Sequence, residues 1–486
     1  MLTKRHFYLS IFISLLIVSS TGNLAFAQEP NKWAISVNIP NYSDNGSPPT
    51  LIADQNQTVH VFYGDTFDGA SVVMYRQWTL ENGWTKPLDI YIGTISITGL
   101  LVDENNTLHM TFFKGTEVDG NIYYMSGDLA GLAQGQGARV WSTPQLIAGN
   151  AGPFGHGAST IDKQGNIYSL YGGREDGNGL YSIYSTDYGK NWSTPETVFL
   201  TYSDEAWPTV PNVISDSNGN VHAVWSVWST AGVGEEILYA SMDADTKQWS
   251  TPIQLAKRDE GDYEADWPSI VEHNGELIVI YQDDFPATKF MRRSRDNGLT
   301  WSNPVRPWDH IGEYGAPVFL KDGDDTLHII LGNRLNDLSH GMWHGVWLED
   351  GWSQLEPIVT GPKTNQFDPT RPSAVIVQGN VLLATWDMDS AKPDNGIWYS
   401  YTTLDATELS LKPLPTLAPP TAIPTVAATE EPATPTPVRQ AVDLSQIKEP
   451  SSNSYSNNPS FPLSLSLIPV ALILAIVFVV IRLNHR

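Results

Sequence analysis

The sequence predicts an all-β fold made of repeated four-stranded antiparallel sheets, and three observations support this prediction. A tryptophan recurs at intervals of 51 to 57 residues, each time at the end of a tight turn and the start of a short apolar run. Alternating apolar residues around Asn-, Gly- or Asp-rich turns recur in phase with it, which is the pattern of β-hairpins. A third apolar strand follows each hairpin, and no part of the repeat reads as a long helix. The recurring tryptophans are Trp84, Trp141, Trp192, Trp249, Trp301 and Trp352.

The number of hairpins predicts the number of repeated units. Seven hairpins occur, the first at residues 51–63 and the last at residues 374–386. Four-stranded sheets repeated around an axis form a β-propeller, which protects the strand edges that an open sheet would expose. We therefore expect a β-propeller with seven blades, with six blades as the alternative.

The two ends of the repeated region are predicted to complete one sheet together. The stretch Lys32–Ile39 has no hairpin before it, yet it resembles the runs that follow the tryptophans. The last unit has its third strand in Gly396–Leu404 but lacks a fourth strand of its own. We expect the N-terminal stretch to supply that strand, because such closure removes an open edge.

Two of the turns between third and fourth strands share one motif. Residues 185–192 and 294–301 both read S-x-D-x-G-x-x-W, where the aspartate can accept backbone N–H groups, the glycine allows a positive φ and the tryptophan packs beside the hairpin. This motif resembles the Asp box, or BNR repeat, of the sialidase superfamily. Such turns lie at the face opposite the functional loops, so we expect them to be structural.

The resemblance implies a sialidase-like propeller and, for active members, three arginines that grip the carboxylate of the substrate. The family's Arg-Ile-Pro motif is absent from the first unit, where Gly46–Thr50 stands in its place. The Arg-Pro in a comparable position is Arg371-Pro372, at the start of the seventh hairpin. Arg174 and Arg334 lie at the ends of second strands on the same face, so the three arginines are candidates for one substrate-binding site.

The resemblance also implies a tyrosine nucleophile activated by a glutamate, with an aspartate as the acid/base. By loop position, Tyr314 with Glu264 or Glu313 is the candidate nucleophile pair. Asp65 or Asp284 is the candidate acid/base. An enzyme of this type would be an exo-α-sialidase, a glycoside hydrolase.

Aromatic residues beside carboxylates mark the connections between the repeated units. Trp207, Trp267, Asp266 and Asp368 all lie in these connections. Indole rings offer flat apolar faces for pyranose rings, and carboxylates accept hydrogen bonds from sugar hydroxyls. We therefore add these four residues to the candidate substrate-binding set.

The segments outside the repeats predict export and anchoring. Residues 1–27 have basic residues, an apolar run and a final Ala-Phe-Ala, as a cleaved signal peptide does. Residues 28–410 hold the propeller, and 411–462 form a stalk rich in Pro, Thr and Ser. Residues 463–481 are an uncharged apolar run long enough to cross a bilayer, and 482–486 carry the positive charges of a cytoplasmic tail. We expect a single-pass type I protein of a bacterial cell membrane, with the propeller outside.

The composition argues against disulfide bonds and against several classes of ligand. The chain has no cysteine, so disulfides do not stabilise it. Its formal net charge of −25 disfavours binding to nucleic acid. No EF-hand spacing occurs, and we expect neither a metal nor a cofactor.

Three functions remain open from the sequence. The favoured one is a cell-surface sialidase-like propeller that binds a glycan or glycoprotein, and whether it also hydrolyses the glycan stays open. The second is a non-catalytic lectin-like or protein-binding propeller, which the missing Arg-Ile-Pro motif favours. The third is an adhesion or sensor ectodomain, which the stalk and the membrane anchor favour.

Overall fold

A computed structural model describes residues 32–410, except for 43–47, 55, 68, 117–118, 153–155, 260–263, 284–287, 310, 313–314, 335–339, 365–366 and 389–395. The predicted signal peptide, stalk, membrane helix and cytoplasmic tail lie outside the described residues. By its internal contacts the chain divides into Met1–Pro419 and Pro420–Arg486, and every described residue belongs to the first unit. Within the described part, no helix combines the length and the apolar character that crossing a bilayer requires.

The described chain is nearly all β, as predicted, and its strands fall into seven consecutive antiparallel groups, called here units I to VII. Unit I contains β2 (Thr50–Ala53), β3 (Val59–Phe67), β4 (Ala70–Thr79), β5 (Gly83–Trp84) and β6 (Leu88–Ile92). Unit II contains β7 (Ser96–Val102), β8 (Thr107–Gly115), β9 (Gly120–Asp128) and β10 (Gln145–Ala151). Unit III contains β11 (Gly157–Ile161), β12 (Ile167–Gly173), β13 (Gly179–Ser185) and β14 (Glu196–Leu200).

Units IV to VII repeat the same order of strands, except that unit V has three described strands, with an isolated bridge between Met291 and Val305 where a fourth strand was predicted. Unit IV contains β15 (Ala206–Ser215), β16 (Val221–Ser229), β17 (Gly234–Met242) and β18 (Ile253–Lys257), and unit V contains β19 (Asp266–His273), β20 (Glu276–Asp283) and β21 (Thr288–Ser294). Unit VI contains β22 (Val318–Lys321), β23 (Leu327–Asn333), β24 (Gly341–Leu348), β25 (Gly351–Trp352) and β26 (Glu356–Thr360). Unit VII contains β27 (Pro369–Val377), β28 (Val381–Met388), β29 (Ile397–Thr403) and the N-terminal β1 (Val37–Asn38). Units II and III join into one sheet through a single pair, Ala151 with Gly173.

Two short helices interrupt the strands of unit II. Helix α1 spans Leu129–Ala133, and a 3-10 helix spans Gly137–Val140. The sequence predicts a tight turn at Asp128, as a degenerate copy of the Asp-box motif. The structure instead makes Asp128 the N-cap of α1, where its carboxylate accepts the N–H groups of Ala130 and Gly131 at 3.2 and 3.1 Å.

The units follow one another around a closed circle. The first strand of each unit contacts the first strand of the next, and β27 of unit VII contacts β2 of unit I. Apolar side chains fill the space between neighbouring sheets, as where Tyr168 and Leu170 of unit III pack with Trp225 and Leu238 of unit IV. Trp225 is fully buried, and truncating such a side chain costs roughly 3–5 kcal/mol. The core is therefore a series of layers between units rather than one central cluster.

The predicted closure by the N-terminal stretch is confirmed. Strand β1 pairs with β29, where Val37 lies opposite Tyr399 and Asn38 opposite Trp398. The N–H group of Ala34 also donates to the carbonyl of Tyr401 at 2.8 Å. The two ends of the repeated region thus share one sheet.

Residues 404–410, the C-terminal strap, add a second closure that the sequence analysis missed. The N–H group of Leu409 donates to the carbonyl of Gln378 at 2.8 Å, and Gln57 donates to the carbonyl of Leu409 at 2.9 Å. The N–H group of Thr407 donates to the carboxylate of Asp324 at 3.1 Å. Because these partners belong to units VII, I and VI, the strap ties three units together.

The turn at residues 185–192 shows why its motif needs each residue type. The carboxylate of Asp187 accepts the Asn191 N–H and the Ser185 hydroxyl, at 2.8 and 2.9 Å. Gly189 has a φ of +81°, and its N–H donates to the Ser185 hydroxyl at 2.9 Å. The Trp192 indole N–H donates to the carbonyl of Gly189 at 3.1 Å. All of these contacts lie within the turn, which fits a structural role.

A recurring Asp–His–Tyr chain links the hairpin turn of one unit to the next unit. In unit II, Nε2 of His109 lies 3.4 Å from Asp103 and its Nδ1 lies 2.7 Å from the Tyr124 hydroxyl. Tyr124 then donates to the carbonyl of Tyr188 in unit III at 3.2 Å. A Cβ at Gly189 would overlap the Tyr124 ring, so this glycine also allows close packing. Related chains are Asp54–His60–Tyr75, Asp216–His222–Tyr239 and Asp322–His328–His344.

Candidate functional site

The alternation of strand direction separates two faces of the circle. Turns between first and second strands, and between third and fourth strands, lie at one face. The loops after second strands and the connections between units lie at the other, which is called here the mouth. Every described residue that the sequence predicted for the site belongs to a mouth segment. Asp284, Glu313 and Tyr314 lie outside the described residues, so the predicted nucleophile, one of its two candidate glutamates and one of the two acid/base candidates stay predictions.

Arg334 and Asp368 come together as an ion pair between units VI and VII. Their side chains are 8% and 6% exposed, with Nη2 of Arg334 2.6 Å from Oδ2 of Asp368. Nε2 of His340 lies 3.1 Å from Oδ1 of Asp368, and Nζ of Lys363 lies 3.5 Å from Oδ2. Burial lowers the pKa of His340, with Arg334 and Lys363 acting in the same direction. The buried Asp368 carboxylate thus accepts a hydrogen bond from Arg334 and has buried His340 and half-exposed Lys363 beside it.

Arg371 also has a carboxylate partner inside the protein. Its guanidinium forms an ion pair with Asp387, across the sheet of unit VII. About half of the Arg371 side chain, 49%, remains exposed. The backbone of Gly315, in the connection from unit V to unit VI, lies directly against Arg371.

The first strands of three units bulge at the mouth in the same way. Val210, Trp267 and Arg371 have φ values of +40°, +52° and +49°, and each precedes a proline. The strand register shifts at each of these points. Non-glycine residues in this region of φ are strained, and such strain concentrates at functional sites. These bulges therefore make the mouth the candidate face for a functional site.

Arg174 differs from the other two predicted arginines. Its guanidinium carbon lies 4.6 Å from the ring centroid of Trp207, a cation–π contact between units III and IV. Among the described residues, no carboxylate comes within ion-pair distance of Arg174. Both side chains are partly exposed. Arg174 therefore keeps hydrogen-bonding capacity for an anion from solution.

Three tryptophans lie next to one another at this part of the mouth, and Trp207, Trp228 and Trp267 are called here the tryptophan cluster. Trp207 lies opposite Trp228 in the pairing of β15 with β16. The ring centroids of Trp228 and Trp267 are 6.1 Å apart at an interplanar angle of 72°. His156 meets Trp228 edge-on at 5.7 Å, and burial lowers the pKa of His156 to about 4. The imidazole beside the cluster is therefore neutral at physiological pH.

Asp266 lies beneath the tryptophan cluster and is only 1% exposed. Its carboxylate accepts hydrogen bonds from the Ser226 hydroxyl at 2.5 Å, the Trp228 indole N–H at 2.8 Å and the Trp267 backbone N–H at 2.7 Å. Burial raises the pKa of Asp266, while these donors and Lys289 act against that rise. The structure thus buries Asp266 beneath the tryptophan cluster, where it contacts Trp228 and Trp267.

A second buried layer lies next to Asp266 in unit V. Lys289 is 1% exposed, and its ammonium donates to the carbonyl of Gly315 at 3.0 Å. Burial lowers the pKa of Lys289 to about 8, and Asp266 and Glu264 oppose that change. Gln282 donates to the carboxylate of Glu264 at 3.0 Å. Glu264 is therefore close to Asp266 and Lys289, as its place in the same connection suggested.

Asp65 lies in unit I, apart from the tryptophan cluster. Its carboxylate accepts the Thr66 N–H at 2.6 Å, beside a cavity of about 200 Å³ between units I and II. Tyr42 stacks on Tyr63, with ring centroids 4.1 Å apart. Burial raises the pKa of Tyr42, and Tyr63, Asp65 and Asp387 act in the same direction. Asp65 and Asp387, the ion-pair partner of Arg371, therefore both lie near Tyr42.

A larger cavity, of about 470 Å³, lies at the face opposite the mouth. Its lining comes from the hairpin turns of units III to VI and includes Asp162, Asp216, Lys163 and Lys321. Oδ1 of Asp216 accepts the N–H groups of Asn218 and Asn220, each at 2.8 Å, within its own turn. None of the described residues that line this cavity is aromatic. The polar side chains of this cavity belong to hairpin turns, so the mouth remains the better candidate for a functional site.

Sequence reasoning missed three residues of the site: Trp228, His156 and Lys289. Trp228 lies near the end of β16, a second strand, and opposite Trp207 in the strand pairing. Its position at a second-strand end was the signal in the sequence that could have identified it. His156 precedes β11, and Lys289 stands inside a strand, where nothing in the local pattern marks a site. Among the described residues, no three His, Asp or Glu side chains gather as a metal would require.

Neither a known protein family nor a curated relative matches the sequence. Solved structures do match. One is a Dyadobacter fermentans protein of unknown function, with 14% identity, a TM-score of 0.46, and coverage of 76% of this chain and 98% of that one. Another is an ulvan lyase of polysaccharide lyase family PL25, with 13% identity, a TM-score of 0.47, and coverage of 76% and 97%. A third is the intramolecular trans-sialidase of Ruminococcus gnavus, with 14% identity, a TM-score of 0.41, and coverage of 76% and 96%. The all-β fold of this chain is similar to a sialidase fold, and the similarity extends to the fold alone.

Proposed function

We propose that the chain is a seven-bladed β-propeller whose mouth binds a glycan that carries an acidic group. The closed circle of first strands and the seven units support the number of blades. The observation that carries the binding proposal is Arg174, which stacks on Trp207 beside the tryptophan cluster and has no carboxylate partner among the described residues. The signal peptide, stalk and apolar C-terminal run of the sequence add the proposal that this site is displayed at the cell surface.

The chemistry of these residues fits a sugar acid. Indole rings stack on the C–H faces of pyranose rings, while a guanidinium donates two parallel hydrogen bonds to a carboxylate or a sulfate. The chain has a formal net charge of −25, so its overall field repels an anionic ligand. A local cation is therefore needed at the site, and Arg174 supplies it where the aromatic surface lies.

Binding without hydrolysis is the form of the proposal that the arginines favour. Arg334 and Arg371 already pair with Asp368 and Asp387. A three-arginine grip on one ligand would have to break both pairs, and breaking a buried pair such as that of Arg334 costs about 3–5 kcal/mol. A lectin-like role, in an adhesion or sensor ectodomain, thus needs fewer changes than an exo-sialidase role.

The experiment is a glycan array with the full chain, comparing sialylated and uronate-containing glycans with their neutral counterparts. We expect binding to the acidic glycans, loss of binding in Arg174→Ala and partial loss in Arg174→Lys, because lysine keeps the charge but lacks the planar fork. Lys163→Ala, which removes an exposed cation at the opposite face, is the matched control. Equal binding of acidic and neutral glycans, or an unaffected Arg174→Ala variant, would refute the acidic-glycan proposal. A fluorogenic sialoside, tested with Arg371→Ala beside the unmodified chain, reports separately on hydrolysis.

A further inference from the structure

The three groups that face the Asp266 carboxylate are all hydrogen-bond donors. They are the Ser226 hydroxyl, the Trp228 indole N–H and the Trp267 backbone N–H, at 2.5, 2.8 and 2.7 Å. The indole and backbone groups cannot accept a hydrogen bond, and an ionised carboxylate is an acceptor only. An ionised Asp266 therefore provides the acceptors that all three neighbouring donors need.

We propose that Asp266 is the positioning residue of the tryptophan cluster and holds Trp228 and Trp267 in the geometry that binds the glycan. This inference rests on the proposed function and assigns Asp266 a role beneath the ligand, without ligand contact. One oxygen fixes the ring of Trp228, and the other fixes the strained backbone of Trp267, whose φ is +52°. The two rings meet nearly edge-to-face, and the same carboxylate bonds the indole of one and the backbone of the other.

The surroundings supply the positive charge that a buried carboxylate needs. Asp266, Gln282 and Lys289 occupy one line across β19, β20 and β21, where Asp266 pairs with Gln282 and Gln282 with Lys289. Lys289 is fully enclosed and donates to the carbonyl of Gly315. The other charged group of this layer is Glu264, which accepts a hydrogen bond from Gln282. Lys289 thus lies two strands from Asp266 in the same layer, and its positive charge favours the ionised form of Asp266.

An asparagine at this position has the right size and the wrong hydrogen bonds. Its amide nitrogen is a donor, so one of the three donors around it would face another donor. Rotating the amide exchanges which donor loses its acceptor but leaves the mismatch. Asp266→Asn therefore disturbs the orientation of a tryptophan while it conserves the volume of the side chain. Asp309→Asn, in an exposed part of the connection between units V and VI, removes the same charge with no such contact and is the matched control.

The test measures near-ultraviolet circular dichroism and ligand affinity on the full chain. The dichroism reports the geometry of the coupled indole rings without any ligand, and the affinity probes are sialyllactose and a glucuronate-containing tetrasaccharide. For Asp266→Asn we expect a changed tryptophan signal and affinity at least about tenfold weaker for the probe that the unmodified chain binds. Asp309→Asn should leave both quantities unchanged. Trp228→Phe keeps an aromatic face but lacks the N–H donor, so we expect it to lose affinity as well.

Each outcome decides the inference. A folded Asp266→Asn variant with an unchanged tryptophan signal, or with a changed signal and unchanged affinity, overturns it. If Asp266→Asn fails to fold, Trp228→Phe decides, and full affinity in that variant overturns the inference. If the unmodified chain binds neither probe, the proposed function fails for these ligands, and the dichroism of the two variants alone decides whether Asp266 positions the tryptophans.

Discussion

Unit VI departs from the Asp–His–Tyr chains at the point where the circle closes, and this departure predicts sensitivity to acid. Units I, II and IV place a tyrosine hydroxyl against Nδ1 of the histidine, whereas unit VI places His344 there, 2.9 Å from His328. His344 is 4% exposed at its side chain and contacts Trp33 of the N-terminal stretch edge-on at 5.6 Å. Burial lowers the pKa of His344 to about 3, and His328 and Lys32 act in the same direction.

The sign and size of the effect follow from that pKa. Because the folded state binds the proton less tightly than the unfolded state does, the stability due to neutral His344 is complete above the unfolded pKa of about 6.5. It is lost as pH falls from about 6.5 towards the folded pKa of about 3. At pH 5 the loss is about 2 kcal/mol, from about 1.4 kcal/mol for each pH unit below 6.5.

His344→Tyr removes this titration and restores the chain that the other units use. The adjacent cavity of about 350 Å³, lined by His328 and Glu356, gives space for the larger ring. Urea unfolding at pH 8 and pH 5, followed by tryptophan fluorescence, measures the free energy of unfolding of the full chain. We expect the loss between pH 8 and pH 5 to be smaller by about 2 kcal/mol in His344→Tyr than in the unmodified chain.

The reverse exchange is the control. Tyr239→His introduces two adjacent imidazoles into unit IV, so it should enlarge the loss of stability between pH 8 and pH 5. Groups that contact neither residue 239 nor residue 344, such as His109, keep the same surroundings in all three chains, so their contributions cancel in the comparison. Equal acid sensitivity in His344→Tyr and the unmodified chain would show that the neutral imidazole of His344 does not limit stability.

Three other outcomes are expected from the described contacts. Gly189→Ala should lower the free energy of unfolding by about 2 kcal/mol or more, because φ is +81° there and a Cβ overlaps Tyr124. Gly69→Ala, also at positive φ (+75°) but in open space, should lower the free energy of unfolding by less in the same urea titration. Removing residues 28–40 should abolish the cooperative unfolding transition in calorimetry, since β1 completes unit VII, and a variant that keeps its melting temperature would contradict the role of β1 as its outer strand. Ending the chain at residue 403 should lower the melting temperature but keep the transition cooperative, because the strap adds contacts to a circle already closed, and an unchanged melting temperature would show that the strap contributes nothing.

Local patterns in the sequence predicted most of the fold. Alternation with a period of two marks a strand wherever one face is buried, so the seven hairpins were visible without any tertiary information. The pairing of β1 with β29 was predictable because a strand was missing from the last unit. The helix α1 was missed because Asp128 is equally suited to a turn and to an N-cap.

The contacts of the candidate site were harder to predict, because they depend on partners that are distant in sequence. Strand ends placed Arg174, Arg334 and Arg371 at the mouth, but nothing local indicated that Asp368 and Asp387 pair with the last two. Asp266 was predicted to contact substrate from its place beside Trp267. Its burial and its three donors, two of which come from unit IV, could be known only from the packing of neighbouring units.

The two faces of the circle hold different kinds of contact, which fits the proposal that one face serves stability and the other serves binding. At the face opposite the mouth, carboxylates accept the N–H groups of their own turns, and the Asp–His–Tyr chains and the strap join one unit to another. At the mouth, three first strands bulge at Val210, Trp267 and Arg371, and the carboxylate of Asp266 accepts hydrogen bonds from tryptophans instead of from a turn. Substitutions in the turns should therefore act mainly on unfolding, while substitutions around the tryptophan cluster should act mainly on affinity.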